Sequence, residues 1–352
     1  MEDGKTAPPA AKRRKKESPH VPHEIISEIL VNLPVESLMR WEANQQCTTV
    51  PLMHGIDLTS DYLMHDFAHC DGLVLLPVGF TAYVLNPATR RTLKLPRGRG
   101  ADPPPRQKPL SFEMCHQAFG LGQDSRSGAY KVARFSYSSL HLLTGTCSYR
   151  SITMEVFTIG TDRHWRETVT RPPYPVLARR TATFFKGSVI WAIDERNLGK
   201  AAPGFLRFSL EDEAFGVMPP PPCYPMLEYT RFSLSELRGE LCLTCEGANI
   251  SSVELWMCNN VEKPRWDRRY TIAALMFRPP ELCPIATFDD EIVFKERVSY
   301  TRRYNLKTKA YKDRFCMANL RYHHPSTGKL GFQRRIFFSF DVIPYVPSLI
   351  PV

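Results

Sequence analysis

Two hydrophobic patterns divide this chain. Near its start, Ile25, Ile29 and Leu33 recur at four-residue spacing, with Ile26 and Leu30 in a parallel row. Such a row is an apolar stripe about 100° wide on a helix. Glu24 and Glu28 fall near that helix's N-terminus, where the backbone dipole favours acidic groups. Pro34 stops the helix, and its fixed φ suits the first turn of a second one. Val35, Leu38 and Met39 give that second helix its own stripe. Isolated helices under roughly 12–15 residues are marginal in water. Both stripes therefore need a partner, either the rest of this chain or another protein. From residue 62 onward the helical period disappears. Short β-rich runs take over, punctuated by Gly, Pro, Asn and Asp.

The β-rich part repeats. Tyr83–Arg90 leads to Leu93–Pro96, and Glu155–Thr161 leads to Trp165 and Arg166. Leu206–Asp212 leads to Phe215–Pro219, and Val253–Met257 leads to Trp266 and Arg269–Ile272. Arg303–Lys309 opens a fifth copy. Their turns centre near residues 86, 160, 211, 259 and 307. The later copies recur about every 50 residues, the period of kelch-type propeller blades. The first interval is longer, and it contains the Pro/Gly/Arg-rich stretch at 97–109. Weaker copies are sought in residues 110–150 and 315–345. Apolar runs follow polar turns at Asp71-Gly72, Lys186-Gly187, Arg238-Gly239 and Asp289-Asp290, and read as inner strands entered by hairpins. The fold class expected is mainly β: a kelch-like β-propeller-type domain of short antiparallel strands. Radial packing would leave only short, protected edges.

Residues 22–40 read Pro-x-x-Ile-Ile-x-x-Ile-Leu-x-x-Leu-Pro-Val-x-Ser-Leu-x-Arg. This string resembles the first half of a plant F-box. The match ends after Trp41: Asn44, Gln45, Gln46 and Thr48 stand where the family has Val, Cys, Lys and Trp. Further on come Cys70-Asp71-Gly72-Leu73-Val74, Asn86-Pro87-Ala88-Thr89-Arg90, Tyr130-Lys131-Val132, Phe185-Lys186-Gly187, Leu234–Gly239 and Tyr345–Pro351. In that order they resemble the F-box-associated domain of plant F-box proteins. The expected organisation is a basic leader at 1–20, a partial F-box at 21–44, a connector at 45–61 and the propeller-like domain at 62–352. The resemblance implies a non-catalytic receptor subunit of a Skp-cullin-F-box ubiquitin ligase. Pro22, Ile25, Ile29, Leu30, Leu33, Pro34, Val35 and Leu38 would dock the Skp-type linker protein, and through it a cullin. The propeller would hold an unidentified substrate protein.

Composition changes this picture little. The chain has 352 residues, of which 43% are hydrophobic, enough for one large core and a small module. No run approaches the roughly 18 apolar residues of a membrane-spanning helix, and no apolar stretch near the start suggests a secretory signal. Ten cysteines are scattered without a compact framework and read as reduced, partly buried thiols. Net charge is +10. Lys12, Arg13, Arg14, Lys15 and Lys16 form a compact basic cluster in a Pro/Ala-rich leader. The cluster fits a nuclear localisation signal, giving an expected location of nucleus, cytoplasm or both. The remaining charge is spread thinly, unlike the basic stripe of a nucleic-acid-binding face.

Catalytic and cofactor patterns are weak. Cys242-Leu-Thr-Cys245 lies in an alternating strand, so its two cysteines face opposite ways. It lacks the second pair of a zinc site. Gly120-Leu-Gly122 lacks the third glycine and the following helix of a dinucleotide loop. Asp289-Asp290-Glu291 reads as turn chemistry, and Trp165, Trp191, Trp256 and Trp266 as core. No cofactor, metal or catalytic group is expected. Two competing functions remain: a stand-alone propeller binding module with an inactive F-box, and a nuclear nucleic-acid binder driven by the basic leader.

Overall fold

The computed structural model describes residues 48–49, 66–78, 81–98, 111–142, 147–178, 180–195, 202–223, 232–247, 252–273, 281–296, 300–316, 321–323, 330–332 and 342–352. The helical docking segment and the basic cluster at Lys12–Lys16 lie outside them.

Five four-stranded antiparallel sheets follow one another along the described chain. After β1 (Thr48–Thr49), blade 1 holds β2 (Ala68–Cys70), β3 (Leu73–Val78), β4 (Thr81–Asn86) and β5 (Arg91–Lys94). Blade 2 holds β6 (Ser111–Gln123), β7 (Tyr130–Leu142), β8 (Cys147–Thr158) and β9 (Arg166–Glu167). Blade 3 holds β10 (Thr183–Phe185), β11 (Ser188–Ala192), β12 (Phe205–Ser209) and β13 (Phe215–Met218). Blade 4 holds β14 (Phe232–Leu237), β15 (Glu240–Glu246), β16 (Ser252–Cys258) and β17 (Trp266–Ala273). Blade 5 holds β18 (Leu282–Phe288), β19 (Glu291–Glu296), β20 (Tyr300–Asn305) and β21 (Ala310–Cys316). A further three-stranded sheet joins β1, in parallel, to β22 (Arg321–His323), which pairs with β23 (Leu330–Phe332). The first strands of successive blades pack side by side, β2 on β6, β6 on β10, β10 on β14 and β14 on β18. The fold is a β-propeller.

Each repeat predicted from the sequence forms the third strand of a blade and the segment that follows it. The apolar runs read as inner strands are the second strands of their blades. A second strand is buried on both faces between neighbouring blades, so it shows a continuous apolar run. Leu73, Leu75, Val189, Leu241, Leu243, Ile292 and Phe294 are all buried in this way. The innermost strands border the axis and are less completely buried. Residues 111–142 are not an extra blade but the first two strands of blade 2. Its long strands, with 13 residues in β6 and in β7, take up part of the enlarged first interval.

The two-residue hairpins that enter the second strands explain the local sequence. Asp71 and Gly72 have φ of 48° and 84°, Lys186 and Gly187 of 44° and 73°, Arg238 and Gly239 of 54° and 76°. Two positive φ angles are what a type I′ turn needs to match the twist of its strands. Lys186 and Arg238 carry a Cβ in a region that costs L-residues roughly 1–2 kcal/mol. Both side chains reach the next blade. Lys186 Nζ donates to the Asn259 carbonyl at 2.6 Å, while Arg238 Nε donates to Thr287 Oγ1 at 2.8 Å and its Nη2 to the Asp289 carbonyl. These contacts offset the turn strain. The Asp289-Asp290-Glu291 run is turn chemistry as expected: Asp290 pairs with Lys307, and Glu291 pairs with Arg303 and Lys312.

Candidate functional site

Every blade starts on its innermost strand and runs in the same sense, so the strand starts gather at one end of the axis. The innermost strands of blades 1, 3, 4 and 5 line a cavity of about 1350 Å³. Asp66, Arg180 and Glu281 stand just before β2, β10 and β18 and ring the end where those strands begin. Asp71, Lys186, Glu236 and Gly239 line the end where the hairpins turn. Between them lie Ala182, Phe184, Phe232, Ser233, Cys283 and Ile285, and Lys295 joins the wall from β19.

Part of this polar lining holds the ring together. Arg180 Nη1 donates to the Phe232 carbonyl at 3.2 Å, from blade 3 to blade 4. Thr181 Oγ1 donates to the Phe67 carbonyl and Thr183 Oγ1 to the Leu234 carbonyl, both at 3.2 Å. Burial lowers the Arg180 pKa, and the negative charge of Asp66 works against that. A guanidinium stays charged over any working pH range, so the rim carries a fixed cation that feels the Asp66 carboxylate. Ser233 Oγ is buried and has no hydrogen-bond partner among the described residues. An apolar wall with a few placed charges and hydroxyls is what a selective binding cavity requires.

One wall is the end of the described chain. Val342, Ile343, Pro344, Val346, Pro347, Ser348 and Ile350 line the cavity and lie against blade 1. Asn86 holds this segment. Its Nδ2 donates to the carbonyls of Ser348 at 3.0 Å and Ile350 at 2.7 Å, while its Oδ1 accepts from the amides of Ala88 and Thr89. Gly72 lets the segment approach, because a Cβ there would stand 2.4 Å from the Val346 carbonyl oxygen. Ile350 and Val352 then pack on the core of blades 1 and 2. Three sequence motifs, at 70–74, 86–90 and 345–351, thus meet in one place.

The expected linker-binding residues, Pro22 to Leu38, and the basic cluster lie outside the described residues. Residues 120–122 are not a nucleotide loop. Gly120 and Gly122 sit in β6, where a Cβ would come within 2.9 Å of Ala182 and 2.2 Å of Phe184. Their role is close blade packing. Cys242 and Cys245 are both buried and belong to different core clusters, as alternation predicted. Trp191 is core, and Trp165, Trp256 and Trp266 pack at core edges. Trp165 Nε1 donates to the Pro96 carbonyl at 2.7 Å and Trp266 Nε1 to the Pro219 carbonyl at 2.9 Å. Each tryptophan ties its blade to the chain leaving the blade before it. The rim residues Asp66, Arg180 and Glu281 were not singled out from the sequence. Their one shared mark is a charged residue shortly before an innermost strand.

Among the described residues there is no metal-sized cluster of His, Cys, Asp and Glu, and no helix long and apolar enough to cross a membrane.

Residues 36–316 match the model of the F-box associated beta propeller domain family. An Arabidopsis thaliana protein, F-box protein At3g07870, is 24% identical over 226 residues, covering 59% of this chain and 50% of its own length. The chain therefore spans about half the length of that curated relative. Two solved structures are similar at lower levels. One, described as the crystal structure of the mitotic checkpoint complex, has a TM-score of 0.39 and 10% identity over 91% of this chain and 76% of its own. The other, YjhT, has a TM-score of 0.42 and 8% identity over 79% and 96%.

Proposed function

This chain belongs to the F-box associated beta propeller domain family, and we propose that it is the substrate-recognition adaptor of a Skp-cullin-F-box ubiquitin ligase. The observation that carries this reading is the family match over residues 36–316, preceded by the F-box-like string at 22–40. Pro22, Ile25, Ile29, Leu30, Leu33, Pro34, Val35 and Leu38 insert into the groove of a Skp-type linker protein, which bridges to a cullin. The chain itself is non-catalytic and supplies proximity, while ubiquitin transfer is performed by other subunits. Lys12–Lys16 directs the protein to the nucleus.

In this reading the substrate protein presents a segment to the axial cavity. Asp66, Arg180 and Glu281 select charge at the rim, and Phe184, Phe232 and Ile285 accept an apolar side chain.

A pull-down tests both halves. The full chain captures the linker protein, and Leu33→Asp abolishes capture. Arg180→Glu removes the co-purifying substrate while linker capture persists. Failure of the unsubstituted chain to capture any linker protein sinks the ligase reading. It would favour the second one, a stand-alone propeller binding module. The specific observation behind that alternative is the break in the F-box pattern after Trp41.

A further inference from the structure

Cys245 lies buried in β15 of blade 4, and Cys223 is half-buried five residues past the end of β13 of blade 3. Their sulfurs are 3.5 Å apart, with the Cys245 thiol donating to Cys223. A disulfide is about 2.0 Å long, so a small side-chain adjustment brings the two into bonding range. The approach is built into the fold. Pro219–Pro222 runs straight into Cys223, and each proline fixes its own φ. Trp266 holds the start of that run through the Pro219 carbonyl and packs on Phe205, which in turn packs on Phe232. Cys223 is therefore delivered to blade 4 by a stiff, anchored segment. Cys242, three residues earlier in the same strand, faces the other way and meets Thr244 Oγ1 at 3.7 Å.

We propose that Cys223 and Cys245 form an oxidisable dithiol, which hydrogen peroxide converts to a disulfide pinning the connection out of blade 3 onto blade 4. Cys223 is the more exposed sulfur and reacts first. Its thiolate attacks one peroxide oxygen, the O–O bond breaks, and the departing hydroxide takes up a proton as water. Cys223 is then a sulfenic acid. The sulfur of Cys245 attacks the Cys223 sulfur and displaces that hydroxyl, which leaves as water with the Cys245 proton. In sum, two thiols lose two electrons and two protons, and one peroxide becomes two waters. The hydrogen bond to Cys223, followed by burial, keeps the Cys245 thiol protonated until then. Cys245 acts as the resolving sulfur, the usual arrangement beside a peroxide-sensitive thiol. The dithiol itself rests on geometry independent of the ligase reading.

The test uses the full reduced chain, treated with or without hydrogen peroxide, then alkylated with N-ethylmaleimide in denaturant and digested without reductant for mass spectrometry. Peroxide is expected to remove Cys223 and Cys245 together from the alkylated pool. A cross-linked peptide pair should then appear, lighter by two hydrogen atoms and restored by dithiothreitol. Cys242→Ser retains the cross-link, whereas Cys245→Ser loses it and leaves Cys223 as a sulfenic acid trapped by dimedone. If peroxide leaves both thiols open to alkylation, or joins Cys223 to a different cysteine, the proposal is wrong. The unsubstituted chain alone decides this, so misfolding of a variant does not blunt the test.

Discussion

Blades 2 and 4 place their second strands at equivalent points of the ring and fill them with opposite chemistry. In blade 4, β15 buries Leu241, Cys242, Leu243 and Cys245 completely. In blade 2, β7 buries two cations among its apolar residues. Lys131 Nζ meets the Leu210 carbonyl at 2.6 Å and Glu213 at 3.2 Å in blade 3, and Asp124 at 2.9 Å in the β6–β7 turn of its own blade. Arg134 faces the opposite way, pairs with Glu155 through Nη1 and lies 5.9 Å from the Trp165 ring. Gly98 packs directly on that guanidinium, because any Cβ at residue 98 would collide with it. Burial lowers the Arg134 pKa, and Glu155 opposes the shift. The blade geometry tolerates either filling. It requires only that a buried charge keep its partner, since desolvating an unpaired ion costs more than the packing around it returns.

Removing that partner gives the largest expected effect. Glu155→Ala leaves Arg134 buried and unpaired, and should cost about 3–5 kcal/mol in urea denaturation. Replacing the pair together, as Arg134→Met with Glu155→Leu, should recover most of this loss. If the single and double variants are equally unstable, charge pairing is not what distinguishes blade 2. In blade 4 the matching test is Leu243→Ala, which opens a cavity in the shared core of blades 2 to 4. A loss of about 2–5 kcal/mol is expected there, with no rescue by a second polar change.

Blade 1 extends the comparison, because its buried polar residue serves closure rather than a charge. Asn86→Ala strips the Ser348 and Ile350 carbonyls of their donor. About 1–3 kcal/mol should be lost, and proteolysis should nick the 342–352 segment before any blade opens. Simultaneous digestion of the whole domain would show that this segment is not an independently docked strap.

The smallest effect is a pH dependence in blade 2. Burial tends to raise the Asp124 pKa, yet Lys131, Ser127 and the Ser127 and Arg126 amides hold it well below the usual carboxylate range. The unfolded state therefore takes up the proton first. The stabilisation is complete above about pH 4 and is lost as pH falls through the lower folded-state pKa. Asp124→Asn should flatten the acid side of the stability curve below pH 4. An unchanged acid limb would mean that other carboxylates dominate it.

Much of the propeller was legible along the chain. Alternation and turn residues mark the third strand of every blade, because successive side chains of a strand point to opposite faces whatever surrounds them. The Asp-Gly, Lys-Gly and Arg-Gly steps mark hairpins, because positive φ at two adjacent positions restricts the residues that fit. Tertiary structure alone decided which strands border the axis, placing the short strand before each hairpin there and the apolar run second. It alone brought Asn86 to Ser348 and Ile350, Cys223 to Cys245, and Asp66, Arg180 and Glu281 to one rim. Periodicity reports that a residue is buried but not against what. In a ring of blades, each such partner is set by how the sheets pack about a common axis, a relation no local stretch of sequence encodes.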